Sequence, residues 1–186
     1  MTPDGVDARL DAVLVHGRLP VTPVVVEYDD GWPARFAEHR DRIAATLGER
    51  ARLVEHIGST SVPGLAAKDV VDIVVGVDDP DDEPAYLPDL VAAGYDLRVR
   101  EPGHRALRET SGQRVNLHCY APGDDEVAKY RLLRDHLRAD PEARREYEAT
   151  KRALAGREWP DMNHYAEAKG PAIRRLLRDA GWSPPS

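Results

Sequence analysis

The sequence predicts an α+β fold, a mixed sheet packed by helices and closed by a C-terminal helical segment. Three observations carry this. The order of patterns along the chain is strand, helix, strand, strand, helix, strands, then helices. Two strand-like runs, 52–57 and 69–77, meet directly across the loop 58–68 with no helix between them, which breaks the alternation that a doubly wound α/β sheet needs. Beyond Pro122-Gly123 the apolar spacing becomes helical and stays so. At 186 residues the chain suits one domain with a sizeable core, placed at 21–182 between a leader, 1–20, and a tail, 183–186.

Each element has a local reason. Val6, Leu10, Val13 and Leu14 give the leader a short helical pattern, and Gly17 and Pro20 detach it from the domain. Residues 24–28 read as a short strand. Asp29-Asp30-Gly31 supplies a turn, and Pro33 suits the first helical position. The helix it opens presents Phe36, Ile43 and Leu47 on one face. The run 78–84, rich in Asp and Pro, breaks the chain after the second central strand and opens an acidic helix with Tyr86, Leu87, Leu90 and Val91, ended by Gly94. A strand at 95–100 precedes a hairpin formed by 106–109 and 114–120 around Ser111-Gly112. Alternation along its second arm turns Val115, Leu117 and Cys119 one way and Asn116, His118 and Tyr120 the other. Helices are predicted at 124–139, 141–155 and 163–180, with Asp140 before Pro141 as an N-cap.

Composition narrows the function. A net charge of -7 argues against general nucleic-acid binding, which needs clustered basic residues. The charge is uneven, however: residues 129–186 hold 13 Lys+Arg against 9 Asp+Glu. That local excess suits a small anionic ligand or one end of an RNA, or else helices with salt-bridged, solvated faces. No apolar stretch approaches the roughly 18 residues that span a bilayer, and the start lacks the basic and apolar regions of a secretory signal. A cytoplasmic protein with no membrane partner is expected. Cys119 is the only cysteine, so an intramolecular disulfide and a thiolate zinc cluster are excluded, and it reads as core filler.

The chemistry concentrates between Val54 and Val77. Val70-Val71-Asp72-Ile73-Val74-Val75 reads as a buried strand, and a charge inside such a run is costly unless something pairs with it. Asp72 is therefore either a ligand-handling acid or a strand-end acid satisfied by backbone N–H groups or an arginine. Upstream, Gly58-Ser59-Thr60-Ser61 offers a small backbone and three hydroxyls able to donate to phosphate, Pro63-Gly64 sharpens the turn, and Lys68 stands just before the strand. This is neither a Walker loop nor a Rossmann fingerprint. Donors on a phosphate tail beside an acid that holds Mg²⁺ are nonetheless what phosphoryl and nucleotidyl transfer require.

Glu55-His-Ile-Gly-Ser-Thr-Ser-Val-Pro-Gly-Leu-Ala-Ala-Lys68, Val71-Asp-Ile73, Asn116-Leu-His118 and Tyr130-Arg-x-x-Arg-Asp-x-Leu-Arg138 together resemble the GrpB family, which is also found fused to some dephospho-CoA kinases and is assigned to the DNA polymerase beta-like nucleotidyltransferase superfamily. The resemblance covers roughly residues 24–177. It implies a twisted nucleotidyltransferase-like sheet, a Gly58-Ser59 turn on a triphosphate, and acids holding a divalent ion. Asp72 matches one member of the superfamily's Asp-x-Asp pair. The partner acid is missing, since Val70 and Val74 flank Asp72 and Asp69 would face the other side of a regular strand. Where a third acid is usual, the chain carries Asn116 and His118. The resemblance thus implies Mg²⁺ or Mn²⁺ at Asp72, with His118 as ligand or base and Asn116 as a further ligand.

The C-terminal helices add candidates. Arg131, Arg134 and Arg138 share a helical face and suit a triphosphate, or else pair with Asp135 and Glu142. Tyr165 and Lys169 resemble a recurrent feature of the GrpB C-terminus. His56 and Lys151 are weaker candidates, and Trp159 and Trp182 read as packing. The expected function is an Mg²⁺-dependent nucleotidyltransferase-type enzyme passing a nucleotidyl or phosphoryl group from a nucleoside triphosphate to a small molecule. Two alternatives stay open: an inactive module binding a nucleotide or CoA-like ligand, and an ATP-using ligase acting on a small acid or amine.

Overall fold

The run of apolar residues around Asp72 forms an interior strand of a five-stranded mixed sheet with order β1-β2-β5-β4-β3. The strands are β1 (Leu53–Ile57), β2 (Val71–Gly76), β3 (Tyr95–Glu101), β4 (His104–Glu109) and β5 (Val115–Tyr120). A computed structural model describes residues 7–8, 11–15 and 17–183. β2 runs antiparallel to β1 and parallel to β5, and β5, β4 and β3 pair antiparallel in turn.

Alternation along β2 and β5 sorts the chain onto two faces. Val71, Ile73 and Val75 with Val115, Leu117 and Cys119 turn to one face and are almost fully buried. Helix α1 (Trp32–Leu47) covers them, because Trp32, His39, Ile43 and Leu47 recur at intervals of seven and four residues and Pro33 pre-sets its first turn. Burying Trp32 and Ile43 contributes roughly 2 kcal/mol each. Helix α2 (Leu87–Ala92) adds Leu87 and Leu90 to the same layer. Cys119 is buried and free, as expected of core filler. Asp69 turns to this side as well, where Trp32 Nε1 and Arg35 donate to it at 2.9 and 2.8 Å.

The other face carries α3 (Asp125–Ala139), α4 (Pro141–Leu154), α5 (Met162–Ala168) and α6 (Gly170–Asp179). Val127 packs on Ile57, Val74 and Tyr120, while Leu137, Tyr147 and Leu176 pack on Val62 and Leu65 beyond the small-residue turn. Asp140 caps α4 as predicted, accepting from the backbone N–H groups of Glu142 and Ala143 at 2.8 and 3.1 Å.

Four expectations are corrected. Residues 24–28 form no strand: a single antiparallel bridge joins Val26 to Ala67. Pro23 lacks an N–H, and Val24 and Val26 face outward at 67% and 38% exposure, so neither a ladder nor a buried face extends the pairing. The helix expected at 163–180 is two helices, α5 and α6, divided at Lys169-Gly170, since Pro171 sits in the first turn of the second. β4 starts at His104 rather than residue 106, and makes a further hairpin with β3 over Pro102-Gly103. The leader is not loose where it is described. Leu14 bridges Val99 on the edge strand β3 and the Val15 N–H donates to the Arg98 carbonyl at 3.0 Å, which covers part of an otherwise open edge. Val21 bridges Trp159. Val6 and Leu10 of its helical pattern, and residues 184–186 of the tail, lie outside the described residues.

Candidate functional site

The parallel register of β2 and β5 sets Asp72 opposite Asn116 and Val74 opposite His118. All three polar side chains therefore share the face covered by α3 to α6. Asn116 Nδ2 donates to Asp72 Oδ1 at 3.0 Å, and His118 Nε2 lies 3.9 Å from the same oxygen. Burial opposes ionisation of Asp72, but His118, Lys68 and Asn116 outweigh it, and its carboxyl sits below the usual range. Among the described residues Asn116 and His118 stand against Asp72 and no arginine does, so the sequence's alternative of a strand-end acid tied to arginine does not hold.

The turn before β2 is shaped around that carboxylate. Gly58 has φ +70°, and a Cβ there would stand 2.8 Å from Asp72 Oδ2, so both backbone conformation and space demand glycine. Residues Ser59–Ser61 make one tight 3₁₀ turn. Its three hydroxyls do not all face a ligand, as the composition suggested. Ser61 Oγ donates to Gly58 O at 2.6 Å. Thr60 Oγ1 meets His56 Nε2 at 3.0 Å, and Ser59 shares a hydrogen bond with Tyr147. His56 stacks on Phe36 behind the sheet, where burial lowers its pKa to about 4.

Asp72 opens into a cavity of about 350 Å³ bounded by the turn, β2, β5 and helices α3 to α6. Gly58, Ser59, Thr60, Lys68, Asp72 and Asn116 line it, with His118, Arg134, Tyr165 and Lys169. Three ammonium groups belong to it. Lys68 Nζ donates to Met162 Sδ at 2.9 Å and lies 5.4 Å from the Tyr165 ring centroid. Lys169, delivered by the break between α5 and α6, lies 4.9 Å from the same centroid. Lys151 donates to the Ala66 carbonyl and stands 5.0 Å over Tyr147. Burial lowers the pKa of Lys68 to about 8, helped by Lys169 and opposed by Asp72. Burial and then Lys169 lower that of Lys151 to about 7. The Lys169 ammonium is lowered by burial too. The Tyr165 hydroxyl is buried without a hydrogen-bond partner.

The arginine row of α3 has other employment. Arg131 and Arg134 both clasp Glu55 of β1, at 2.6 and 2.9 Å, and Arg134 also donates to the His56 carbonyl at 3.2 Å. Arg138 donates twice to the Ser61 carbonyl, at 2.7 and 3.0 Å. Arg134 lines the cavity, whereas Arg131, Arg138 and Ser61 do not. Sequence reasoning missed Glu55 as the partner of these guanidinium groups, although its place in β1, two residues before Ile57, puts it on their side of the sheet. It also missed Tyr147, Met162 and His104. His104 Nε2 approaches His118 Nδ1 at 3.3 Å and its Nδ1 meets Glu101 at 3.1 Å, while its ring stacks on Tyr120 at 4.4 Å.

A second cavity, about 410 Å³, lies beyond Asn116 and His118. Val13, Leu14, Gly17, Leu19, Pro20 and Val21 line it with parts of β3, β4 and α5. The two cavities share Asn116, His118, Met162, Asn163 and Ala166, so β5 and α5 form a common wall.

As a divalent-metal site the donor set is poor. Among the described residues no three His, Cys, Asp or Glu side chains come together to hold an ion, and Asp72 is the only carboxylate lining the first cavity. Asn116 turns its NH₂ to Asp72, and its oxygen accepts from Arg108 at 3.4 Å. Mg²⁺ calls for hard oxygen ligands with negative charge. Valines flank Asp72 where a second carboxylate would be, lysines line the rest of the cavity, and the residues present do not fit the ion.

Comparison with known proteins identifies the family and the fold. The GrpB protein family matches residues 22–179. The UPF0157 protein of Streptomyces coelicolor is 53% identical over 155 residues, spanning 83% of this chain and 82% of that protein. Its counterpart in Halalkalibacterium halodurans is 42% identical over 179 residues, 94% and 91% of the two chains. A dephospho-CoA kinase of Mycolicibacterium paratuberculosis is 31% identical over an alignment of 202 positions, gaps included, that spans 90% of this chain and 49% of the kinase. In three dimensions the crystal structure of GrpB from Enterococcus faecalis superposes with a TM-score of 0.72 at 28% identity, covering 84% of this chain and 96% of that one. The GLD-2/RNP-8 complex superposes at 0.56 with 13% identity, over 82% and 61% of the chains, a likeness of fold alone. The sheet with its flanking helices is a nucleotidyltransferase-like fold, and the chain belongs to the GrpB family.

Proposed function

We propose that this protein is a nucleotidyltransferase-type transferase that seats the phosphate tail of a nucleotide in the lysine-lined cavity and transfers a nucleotidyl or phosphoryl group to a small-molecule acceptor. The observation that carries this reading is the meeting of Asp72 and His118, 3.9 Å apart, where two cavities share a wall. In this reading the Ser59 turn, Lys68 and Lys169 hold the phosphates, and the acceptor occupies the second cavity. The acceptor's hydroxyl or amine attacks phosphorus, the bond to the departing phosphate breaks, and the acceptor's proton passes to His118. Ammonium groups already in place oppose the charge that grows on the phosphate oxygens. The Mg²⁺ or Mn²⁺ that the sequence suggested carries no step here.

The single carboxylate in the cavity favours a second reading, a module that binds a nucleotide or CoA-like ligand without turning it over. One experiment separates the two. ATP, GTP, CTP and UTP are each incubated with the protein and a panel of small alcohols, amines and acids, while pyrophosphate and phosphate release are followed. Release that disappears in Asp72→Asn and His118→Ala supports the transferase. Nucleotide binding without release supports the module, and neither binding nor release overturns both. Release with acids and amines alone would point to the ligase-type reaction.

A further inference from the structure

The cavity over β2 holds more positive charge than the protein itself answers. Lys68 and Lys169 stand 5.4 and 4.9 Å from the centroid of one Tyr165 ring, and Lys151, itself 2% exposed, lines the same space. Against them Asp72 is the only carboxylate lining the cavity among the described residues. Like charges gathered in a partly desolvated space repel strongly, and folds keep such arrangements where a ligand of opposite charge relieves them. The buried Tyr165 hydroxyl with no partner adds an unused donor, an unmet group of the kind that a ligand satisfies.

A divalent cation would worsen this imbalance, and the donors around Asp72 do not suit one. From these placements we infer that the cavity binds a polyphosphate directly, without a divalent cation, with Lys68 and Lys169 neutralising the charge that a metal neutralises in other phosphate sites. The ligand class is a chain of two or more phosphates, as borne by nucleoside polyphosphates and CoA-like molecules. This rests on the reading of the cavity as a phosphate seat and sharpens it: lysine takes the place of the metal. Lys151 keeps its hydrogen bond to Ala66 and acts on the ligand through its charge.

The test is isothermal titration of inorganic tripolyphosphate and of ATP into the full chain, once in EDTA and once in excess Mg²⁺. The inference expects binding in EDTA at least as tight as in Mg²⁺, because Mg²⁺ masks charge that the lysines recognise. Lys68→Met and Lys169→Met should each weaken it at least about tenfold, while Arg52→Gln, at an exposed position paired with Asp78 away from the cavity, leaves it unchanged. Circular dichroism verifies that each variant is folded. Lys169→Arg, which keeps the charge, should retain most of the affinity. Binding that appears only with Mg²⁺, or that survives both methionine variants, overturns metal-free recognition while leaving a phosphate seat intact. No binding of either probe under either condition overturns the phosphate seat as well.

Discussion

Gly58 illustrates how a single position joins backbone geometry to chemistry. Its positive φ and the 2.8 Å that would separate a Cβ from Asp72 Oδ2 mean that Gly58→Ala must move either the turn or the carboxylate. We expect a loss of about 1–3 kcal/mol in urea unfolding, together with weaker tripolyphosphate binding. The lysines make a second prediction at this scale. Lys68 faces Lys169, Asp72, Arg108 and the Tyr165 ring, and its pKa of about 8 means that it loses its proton as pH rises through that value. Affinity for tripolyphosphate should fall in two stages, first as Lys151, with a pKa of about 7, discharges, and then above about pH 8 as Lys68 does, read by titration calorimetry across buffers. Lys68→Met should flatten the second stage. Asp72, Ser59, Lys68 and His118 could be picked out from spacing because strand alternation and short loops fix them locally, whereas Tyr165 and Lys169 came from the resemblance alone. Glu55 was not, because a helix periodicity shows which arginines share a face but not which strand lies opposite.

Helix α3 works as a brace on the turn rather than as an anion clamp. Its arginines hold β1 through Glu55 and the turn through the Ser61 carbonyl. Arg138→Met keeps most of the aliphatic stem but strips both donors from that carbonyl, and we expect a loss of about 1–3 kcal/mol in urea unfolding. A larger share of the effect should fall on ligand affinity than for Arg144→Met on α4, whose guanidinium donates to the Leu137 carbonyl at the end of α3, away from the turn. Elements with strong terminators were readable in advance: Pro33 opens α1, and Asp140 with Pro141 opens α4. Where two local signals conflicted, the reading failed. The Val-rich run at 24–28 has strand composition but a proline beside it and no buried face. The stretch at 163–180 has helical periodicity but carries Gly170-Pro171 in its middle, and that break is what delivers Lys169 to the cavity.

The two layers of the molecule respond to acid together. His56 and His104 are both held neutral by burial, each with a pKa lowered to about 4, against 6.5 in the unfolded chain. Between those values the unfolded chain binds protons that the folded one refuses, so stability falls as pH drops from about 6.5 toward 4, by up to about 3 kcal/mol for His56. Urea unfolding at pH 7 and pH 4.5 measures the loss, and His56→Asn should lose less over the same interval. The overall α+β class was legible because the direct passage from one strand to the next across the 58–68 loop excludes the doubly wound alternative. The pair of cavities was not, since it depends on how Val13, Leu14, Leu19 and Val21 lie against β3, β4 and α5, contacts with no periodic signature. One of those contacts has an optical consequence. Val21 pins Trp159, whose indole lies edge-on to Tyr165 at 6.1 Å with the Arg157 guanidinium 4.4 Å from its ring centre. An occupant that engages the Tyr165 hydroxyl therefore perturbs the indole next to it, and the emission of Trp159 should report filling of the cavity without any added dye, a signal that Trp159→Phe removes.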